Sequence, residues 1–571
     1  MEPVNSFKGN DKDDEAKERE FRRQTRCRIF TIVLSIVVFI TLIVSAVVGT
    51  LLHTNQGEKY PQKTSHMNRI ESLKAVCNVT QYQESCFSRL FTANGSSILH
   101  PKKLSKLSMK VTVDELSKLV SVPDKLISKT SDPSVKAAFV ICKSMFEDSI
   151  DYLNDSISLM DMEPDHKSSL ATVTDDIKTW ISSAITNIET CLDALDETEK
   201  GEFLQEMKGE MQSSKELTSN SLAIFTKIMS FSDNPKIPLH PKLLDFGPSD
   251  QDDFLYWVHP RDRRLFQQTM PRPDITVAQD GSGDYKTISD AVAAIGTKNE
   301  SRTVVFVKAG TYVENVVVDK AYWNVMMYGE GMTKTIVTGN LSKKKNNTQT
   351  FMTATFIAAG KGFIARDMGF KNTAGPEGEQ AVAMRSKSDL SVFYRCSFDA
   401  YQDTLYPHSN RQFYRNCEIT GTVDFIFGTA AVVFKKCNIR PRQPLPGQFN
   451  TITAQGKKYP WQTTWISIHQ CTIAPLGNVT AQTYLGRPWK EYSTTVIMET
   501  DITAIVNPLG WIVWNLSDPI PPSTINYGEY KNTGPGSDLS KRVNWTGYQP
   551  ILSDQVAALY KKGVNGCLNP V

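Results

Sequence analysis

The chain is poor in the residues that mark the commoner enzyme classes. It has 8 histidines in 571 residues, and none falls at the spacing of zinc ligands. No G-x-S-x-G elbow occurs, so serine-hydrolase chemistry is not indicated. Gly281-Ser282-Gly283 lacks the rest of a dinucleotide motif and reads as a turn before a strand. No Lys/Arg run is longer than Lys343 to Lys345, which argues against nucleic acid as a partner. Helical periodicity is nearly absent from Ile275 until residues 552 to 561.

What is present is large and divided. Hydrophobic content of 40% and charged content of 22% are ordinary for globular protein. The net charge of +3 hides an asymmetry: 33 basic against 38 acidic side chains up to Arg264, then 31 against 23. The C-terminal part is therefore basic and suits a polyanionic partner. Residues 29–52 carry no charge and are long enough to span a bilayer. Arg19, Arg22, Arg23, Arg26 and Arg28 precede them, which keeps residues 1–28 as a cytosolic tail and makes the span a signal-anchor. The remainder is expected in the secretory pathway, as a membrane-anchored precursor. Sequons at Asn78, Asn94, Asn154, Asn299, Asn340, Asn346, Asn478, Asn515 and Asn544 agree with export, as do nine cysteines beyond the span.

After a linker over 53–66, residues 67–230 carry apolar residues at helical spacing, as in Val135-Phe139-Cys142-Phe146. This predicts an all-α, four-helix-bundle-like domain in which Cys142 and Cys191 could staple two helices. Residues 231–273 are rich in proline and read as an irregular linker. The linker contains Arg261-Asp262-Arg263-Arg264, a plausible site for a processing protease. From 274 to 571 the texture is one of short strands punctuated by Gly and Asn.

Within that region Gln380, Gln402 and Asp424 stand 22 residues apart, with Asp403 beside the middle one. Phe393-Tyr394-Arg395-Cys396, Phe413-Tyr414-Arg415-Asn416-Cys417 and Val433-Phe434-Lys435-Lys436-Cys437 repeat at nearly the same interval, with a weaker copy at Ile468-His469-Gln470-Cys471. Such repeats indicate a solenoid, whose equivalent residues stack about 4.8 Å apart. Two carboxylates and two amides would then converge. Asp424 lies in an apolar run, where an unpaired acid is costly. Arg487 is its natural counter-ion, since arginine holds a carboxylate by two prongs. Trp489 offers a flat face suited to a sugar ring.

At these residues the chain resembles plant pectin methylesterases with an N-terminal pro-region, itself similar to the invertase and pectin methylesterase inhibitors. The motifs are Gly310-Thr311-Tyr312-Val313-Glu314, Gln380-Ala381-Val382, Gln402-Asp403-Thr404-Leu405-Tyr406, Asp424-Phe425-Ile426-Phe427-Gly428 and Leu485-Gly486-Arg487-Pro488-Trp489. The resemblance implies a right-handed parallel β-helix that hydrolyses methyl-esterified galacturonan in the cell wall without metal or other cofactor. It implies Asp424 as nucleophile, Asp403 as general acid and then base, and Gln380 and Gln402 as oxyanion donors. Thr350, Gln380, Arg487 and Trp489 become substrate contacts, and Cys417 and Cys437 a disulfide between coils. A subtilisin-like processing protease and inhibitor proteins are the implied partners besides pectin. Glu379, Pro407 and Thr429 are less usual beside the catalytic motifs.

Two rival readings remain. A polygalacturonase or lyase would act on the same polymer, but no Asn-Thr-Asp, Gly-His-Gly or calcium-binding acid cluster occurs. A catalytically silent wall-binding or inhibitor protein is the other, and intact acid motifs argue against it.

Overall fold

The computed structural model describes residues 63–93, 101–162, 170–198, 200–232, 254–268, 270–517 and 520–563. The expected tail and signal-anchor lie outside the described residues. Among those described, no helix is long and apolar enough to cross a membrane. The chain divides between Ile70 and Glu71. Of the shorter unit only residues 63–70 are described, the start of helix α1, Lys63–Cys77. The larger unit contains everything discussed below.

Its helical part comprises α2 (Gln83–Ala93), α3 (Pro101–Leu119), α4 (Val122–Ile127), α5 (Pro133–Asp161), α6 (Leu170–Asp196) and α7 (Gly201–Ser232). Helix α5 starts where the sequence provides for it. Pro133 takes a first-turn position, and the Asp132 side chain accepts from the Ser134 N–H at 2.9 Å. The long helices α3, α5, α6 and α7 bury one apolar stripe each, including Met109, Phe139, Ile181 and Met211. Disulfide Cys142–Cys191 joins α5 to α6 as expected, and a second disulfide joins Cys77 to Cys86, nine positions on.

The rest is a parallel β-helix of three sheets with eleven, seven and eight strands. The repeated phrase explains its corners. In each copy an apolar strand enters the interior, then one residue turns the chain with positive φ: Arg395 at 52°, Asn416 at 54°, Lys436 at 55° and Gln470 at 54°. A left-handed non-glycine residue costs roughly 1–2 kcal/mol, and the interior stack offsets it. Phe393, Tyr414 and Phe434 lie ring on ring at 4.5 and 4.8 Å, one ring per coil.

Two sequence expectations are corrected here. Residues 254–268 are not irregular linker. Pro260–Gln267 forms helix α8, with Pro260 opening the helix rather than breaking the chain, and with the His259 ring accepting from Arg261 N–H at 3.1 Å. Leu255, Val258 and Phe266 are buried against Met326, Ile364 and Phe413 of the β-helix. Arg263 donates to the carbonyls of Val258 and Leu255 at 2.8 and 3.0 Å. The dibasic run is therefore folded. Second, Cys417 and Cys437 are not a disulfide; with Cys396 and Cys471 they are buried free thiols. Equivalent positions in neighbouring coils point their side chains side by side. Each thiol instead donates to a carbonyl, Cys417 to Phe393 at 3.4 Å and Cys437 to Tyr414 at 3.5 Å.

Candidate active site

The coil step brings the two acids together. Leu405 pairs with Ile426, and the Asp403 N–H donates to the Val423 carbonyl at 3.1 Å, so Asp403 stacks directly on Asp424. Through the acids the step is 21, so the register partner of Asp424 is Asp403 and not Gln402. The amides form their own neighbouring pair, with Ala381 N–H donating to the Gln402 carbonyl at 3.2 Å. Both acids sit at left-handed corners, φ 63° for Asp403 and 50° for Asp424. Strain of this kind collects at functional sites.

Asp424 is gripped from two sides. Arg487 reaches it with Nε at 2.9 Å from Oδ1 and Nη2 at 2.6 Å from Oδ2. The Thr451 hydroxyl donates to Oδ1 at 2.6 Å and accepts the Asp424 N–H at 2.8 Å. The Arg487 fork and the Thr451 hydroxyl together fix the direction of the carboxylate. Asp403 is only 7% exposed. Burial first, then the charge of Asp424 and that of Glu197, hold its carboxyl well above the usual carboxylate range, against Arg487 and Lys343. One acid is clamped by a cation while its neighbour ionises less readily.

A cavity of about 230 Å³ holds these groups. Gln380, Gln402, Asp403, Asp424, Thr350, Arg487 and Trp489 all line it, so every expected catalytic and substrate-binding residue comes to one place. Oε1 of Gln380 is buried without a hydrogen-bond partner among the described residues. Trp489 stacks with Trp514 at 6.3 Å, and the Arg487 guanidinium lies 4.3 Å from the Trp514 ring. Among the described residues no group of three or more His, Cys, Asp or Glu side chains is set to hold a metal ion.

Sequence reasoning missed several members. Thr451 and Trp514 come from coils outside the repeated phrase, and nothing in their spacing marks them. The larger omission is α6, whose Thr190 and Asp193, with Glu197 just beyond its last residue, line the same cavity from the bundle side. Thr190 Oγ1 meets His408 Nε2 at 2.8 Å. Lys490 pairs with Asp193, and Ser183 donates to Asn410 at 2.7 Å. Farther along, Arg411 binds Asp176 of α6 and Asp389 of the β-helix at 2.7 and 2.6 Å. One apolar cluster runs from Met145 and Ile188 of the bundle to Phe351, Val382, Tyr406 and Phe427 of the β-helix.

Residues 274–564 match the family model described as Pectinesterase, and residues 71–224 that of Plant invertase/pectin methylesterase inhibitor. Pectinesterase 1 of Arabidopsis thaliana is 50% identical over 569 residues, covering 98% of this chain and 96% of that protein. Pectinesterase 3 of Phaseolus vulgaris is 48% identical over 568 residues, with the same coverage of 98% and 96%. Among solved structures, pectin methylesterase from carrot is 48% identical, covers 51% of this chain and 92% of that one, and superposes with a TM-score of 0.50. With both family models matched in sequence order, the chain belongs to the pectinesterases that carry an inhibitor-type helical domain ahead of the esterase domain.

Proposed function

We propose that the chain hydrolyses galacturonan methyl esters with Asp424 as nucleophile and Asp403 as acid and then base. The observation that carries this is the stacked pair itself, one carboxylate clamped by Arg487 and the other buried beside it, where burial and the Asp424 charge make ionisation harder. Asp424 Oδ attacks the ester carbonyl carbon, and the side-chain amides of Gln380 and Gln402 donate to the developing oxyanion. A donor of this kind is worth about 10²- to 10³-fold in rate. As the tetrahedral intermediate collapses, Asp403 gives its proton to the departing methoxide, releasing methanol and leaving a mixed anhydride between Asp424 and the galacturonosyl C6 carboxyl. Asp403, now ionised, takes a proton from water as the water attacks that anhydride at the galacturonosyl carbonyl. The free galacturonate carboxylate leaves, Asp424 is regenerated and Asp403 is protonated again. Trp489 and Trp514 supply apolar faces for the sugar rings.

The helical bundle acts as a cover. Its α6 face lines the cavity that a galacturonan chain would have to enter, which supports a precursor held inactive until the bundle is displaced. Cutting at Arg261-Asp262-Arg263-Arg264 would require α8 to open first, because a protease needs extended backbone there. Anchoring through residues 29–52 and delivery of the freed enzyme to the cell wall follow from the sequence pattern.

The test is product analysis on methyl-esterified pectin after the bundle is released by limited proteolysis. The reading expects methanol without new reducing ends and without unsaturated ends. Reducing ends would indicate a glycosidase, unsaturated ends a lyase, and no product a silent binding module.

A further inference from the structure

A row of cations runs along one edge of the β-helix, outside the cavity. Lys320, Lys361, Lys387 and Arg411 follow the strands Val316–Val318, Phe356–Ala358, Met384–Ser386 and Leu405–Pro407. These strands are consecutive neighbours in the seven-stranded sheet, so the row carries one cation per coil, about 4.8 Å apart along the axis. Asp403 precedes Leu405–Pro407 and Arg411 follows it, so the catalytic acids and the row stand at opposite ends of the strands. None of the four lines the cavity. In the covered chain the bundle meets the row with acids. Asp148 and Asp151 of α5 lie 2.9 and 2.6 Å from Lys320, Asp148 also pairs with Lys387, and Asp176 of α6 lies 2.7 Å from Arg411. The charge of Lys361 acts on Asp155 and Asp176. Asp389 of the β-helix shares Arg411 at 2.6 Å, but Lys320 and Lys387 take their ion-pair partners from the bundle among the described residues. The match is incomplete. Arg385 lies two residues before Lys387, close enough to oppose its charge. Its Nε and Nη1 are buried without a hydrogen-bond partner among the described residues. An unmatched buried donor is costly, and the face therefore suits more anionic charge than the bundle supplies.

We propose that this row is an exosite for a de-esterified stretch of galacturonan, whose carboxylates lie along Lys320, Lys361, Lys387 and Arg411 beside the groove rather than in it, and that the acids of the bundle occupy the row in the covered chain. The proposal rests on the chain acting on galacturonan. De-esterified units are the product of that reaction, so the row holds a stretch already processed while the groove, with Asp403 and Asp424, takes the ester. A methyl ester carries no charge and gains nothing from the row. Trp323 adds a feature that a plain polyanion does not use. Its Nε1 donates to the Lys320 carbonyl at 3.0 Å, which sets a half-buried ring at the first rung, and Lys298 lies 6.0 Å from that ring. The ring offers a flat apolar face to a pyranose unit.

The β-helix has an interior core made without bundle residues, so the test compares the chain freed of its bundle with the full-length chain. Calorimetry on an Asp424→Asn background, which prevents turnover, measures binding of three probes: an oligogalacturonide long enough to span four coils, its fully methyl-esterified form, and polyglutamate of equal charge. Lys320→Gln with Lys361→Gln removes two exposed cations and leaves the buried pairs intact. The freed chain is expected to bind the free-acid oligomer at low salt, and the double variant to bind it at least about 5-fold more weakly, the scale of two exposed ion pairs. High salt should erase that difference. The full-length chain should bind the oligomer more weakly than the freed chain. With Asp424 intact, the double variant should keep kcat and KM on a methyl-esterified trigalacturonide, too short to reach the row, and show a KM about 5-fold higher on partly de-esterified pectin. Unchanged oligomer binding by the double variant would overturn the exosite, as would an equal loss for the methyl-esterified oligomer. Polyglutamate binding as tightly as the oligomer would overturn its fit to galacturonan. Equal binding by the full-length and freed chains would overturn occupation by the bundle. Methanol release with no effect of the double variant sinks the exosite alone, and row-dependent binding without methanol sinks the esterase chemistry alone.

Discussion

Arg487 holds Asp424 by two guanidinium nitrogens, Nε at 2.9 Å from one carboxylate oxygen and Nη2 at 2.6 Å from the other. The fork fixes the direction of the attacking oxygen, and the guanidinium plane lies against the Trp514 ring at 4.3 Å. Lysine keeps the charge but offers neither the second prong nor the plane. Arg487→Lys is expected to lower kcat/KM for methanol release by roughly 10- to 100-fold, the worth of a charge-assisted hydrogen bond. Near wild-type kinetics would mean that orientation of Asp424 does not depend on the fork.

Asp403 should show itself in stability as well as in rate. Burial and the Asp424 charge raise its carboxyl in the folded chain, so the folded state keeps a proton that the unfolded state has lost. The contribution to stability is fully present below the unfolded value of about 4 and is lost as pH rises. Asp403→Asn removes the penalty of ionising a buried acid. Its Tm is therefore expected to exceed the parent's by about 2 °C or more at pH 7, and the gain should shrink as pH falls toward 4. Thermal unfolding across that range checks the sign. A gain that grows on acidification would contradict it.

The grip of the cover on the groove should weaken toward neutral pH. Glu197 keeps slight solvent contact, yet protein packs around it from both sides, and burial pushes its carboxyl up to about 7. Thr350 and Lys343 pull it down, and Asp193 pushes it up. Asp193 is itself paired with Lys490, and Asp403 faces Glu197 across the cavity. The docked state holds a proton that an exposed Glu releases near pH 4 to 4.5. Docking is therefore strongest below that value and loses strength as pH rises through about 7. The ratio of methanol release by the full-length chain to that by the chain freed of its bundle should rise over this window, and Glu197→Gln should flatten the rise. A ratio that falls with pH in the parent would contradict the assignment.

The thiol ladder gives a chemical check. Alkylation under denaturing conditions without reductant should label Cys396, Cys417, Cys437 and Cys471, and leave Cys77, Cys86, Cys142 and Cys191 unlabelled until reduction. Peptide mass analysis reads this directly. Cys417 and Cys437 appearing only after reduction would restore a bond between the coils.

The sequence carried the β-helix because solenoid coils repeat their own text. Phe393, Tyr414 and Phe434 are written at nearly the period at which they stack. Both acids, both amides, Arg487 and Trp489 were legible for the same reason or through short motifs. The 21 residues between Asp403 and Asp424 were legible too, and the strand register stacks the two acids at that step. Glu197 was invisible. It lies 153 residues from Thr350 in sequence, just past the end of a helix whose pattern speaks only of its own bundle. Pro260 misled because a proline that opens a helix and one that breaks a chain look alike until Leu255 and Phe266 are seen to bury.

The central claim is that Asp424 attacks and Asp403 transfers the proton. It is tested most directly by methanol release from methyl-esterified pectin, comparing Asp424→Asn and Asp403→Asn with the parent after identical release of the bundle. Each variant is expected to lose at least about 10²-fold in kcat, with its unfolding transition still cooperative. Methanol release near the parent rate by either folded variant would contradict the role assigned to that residue.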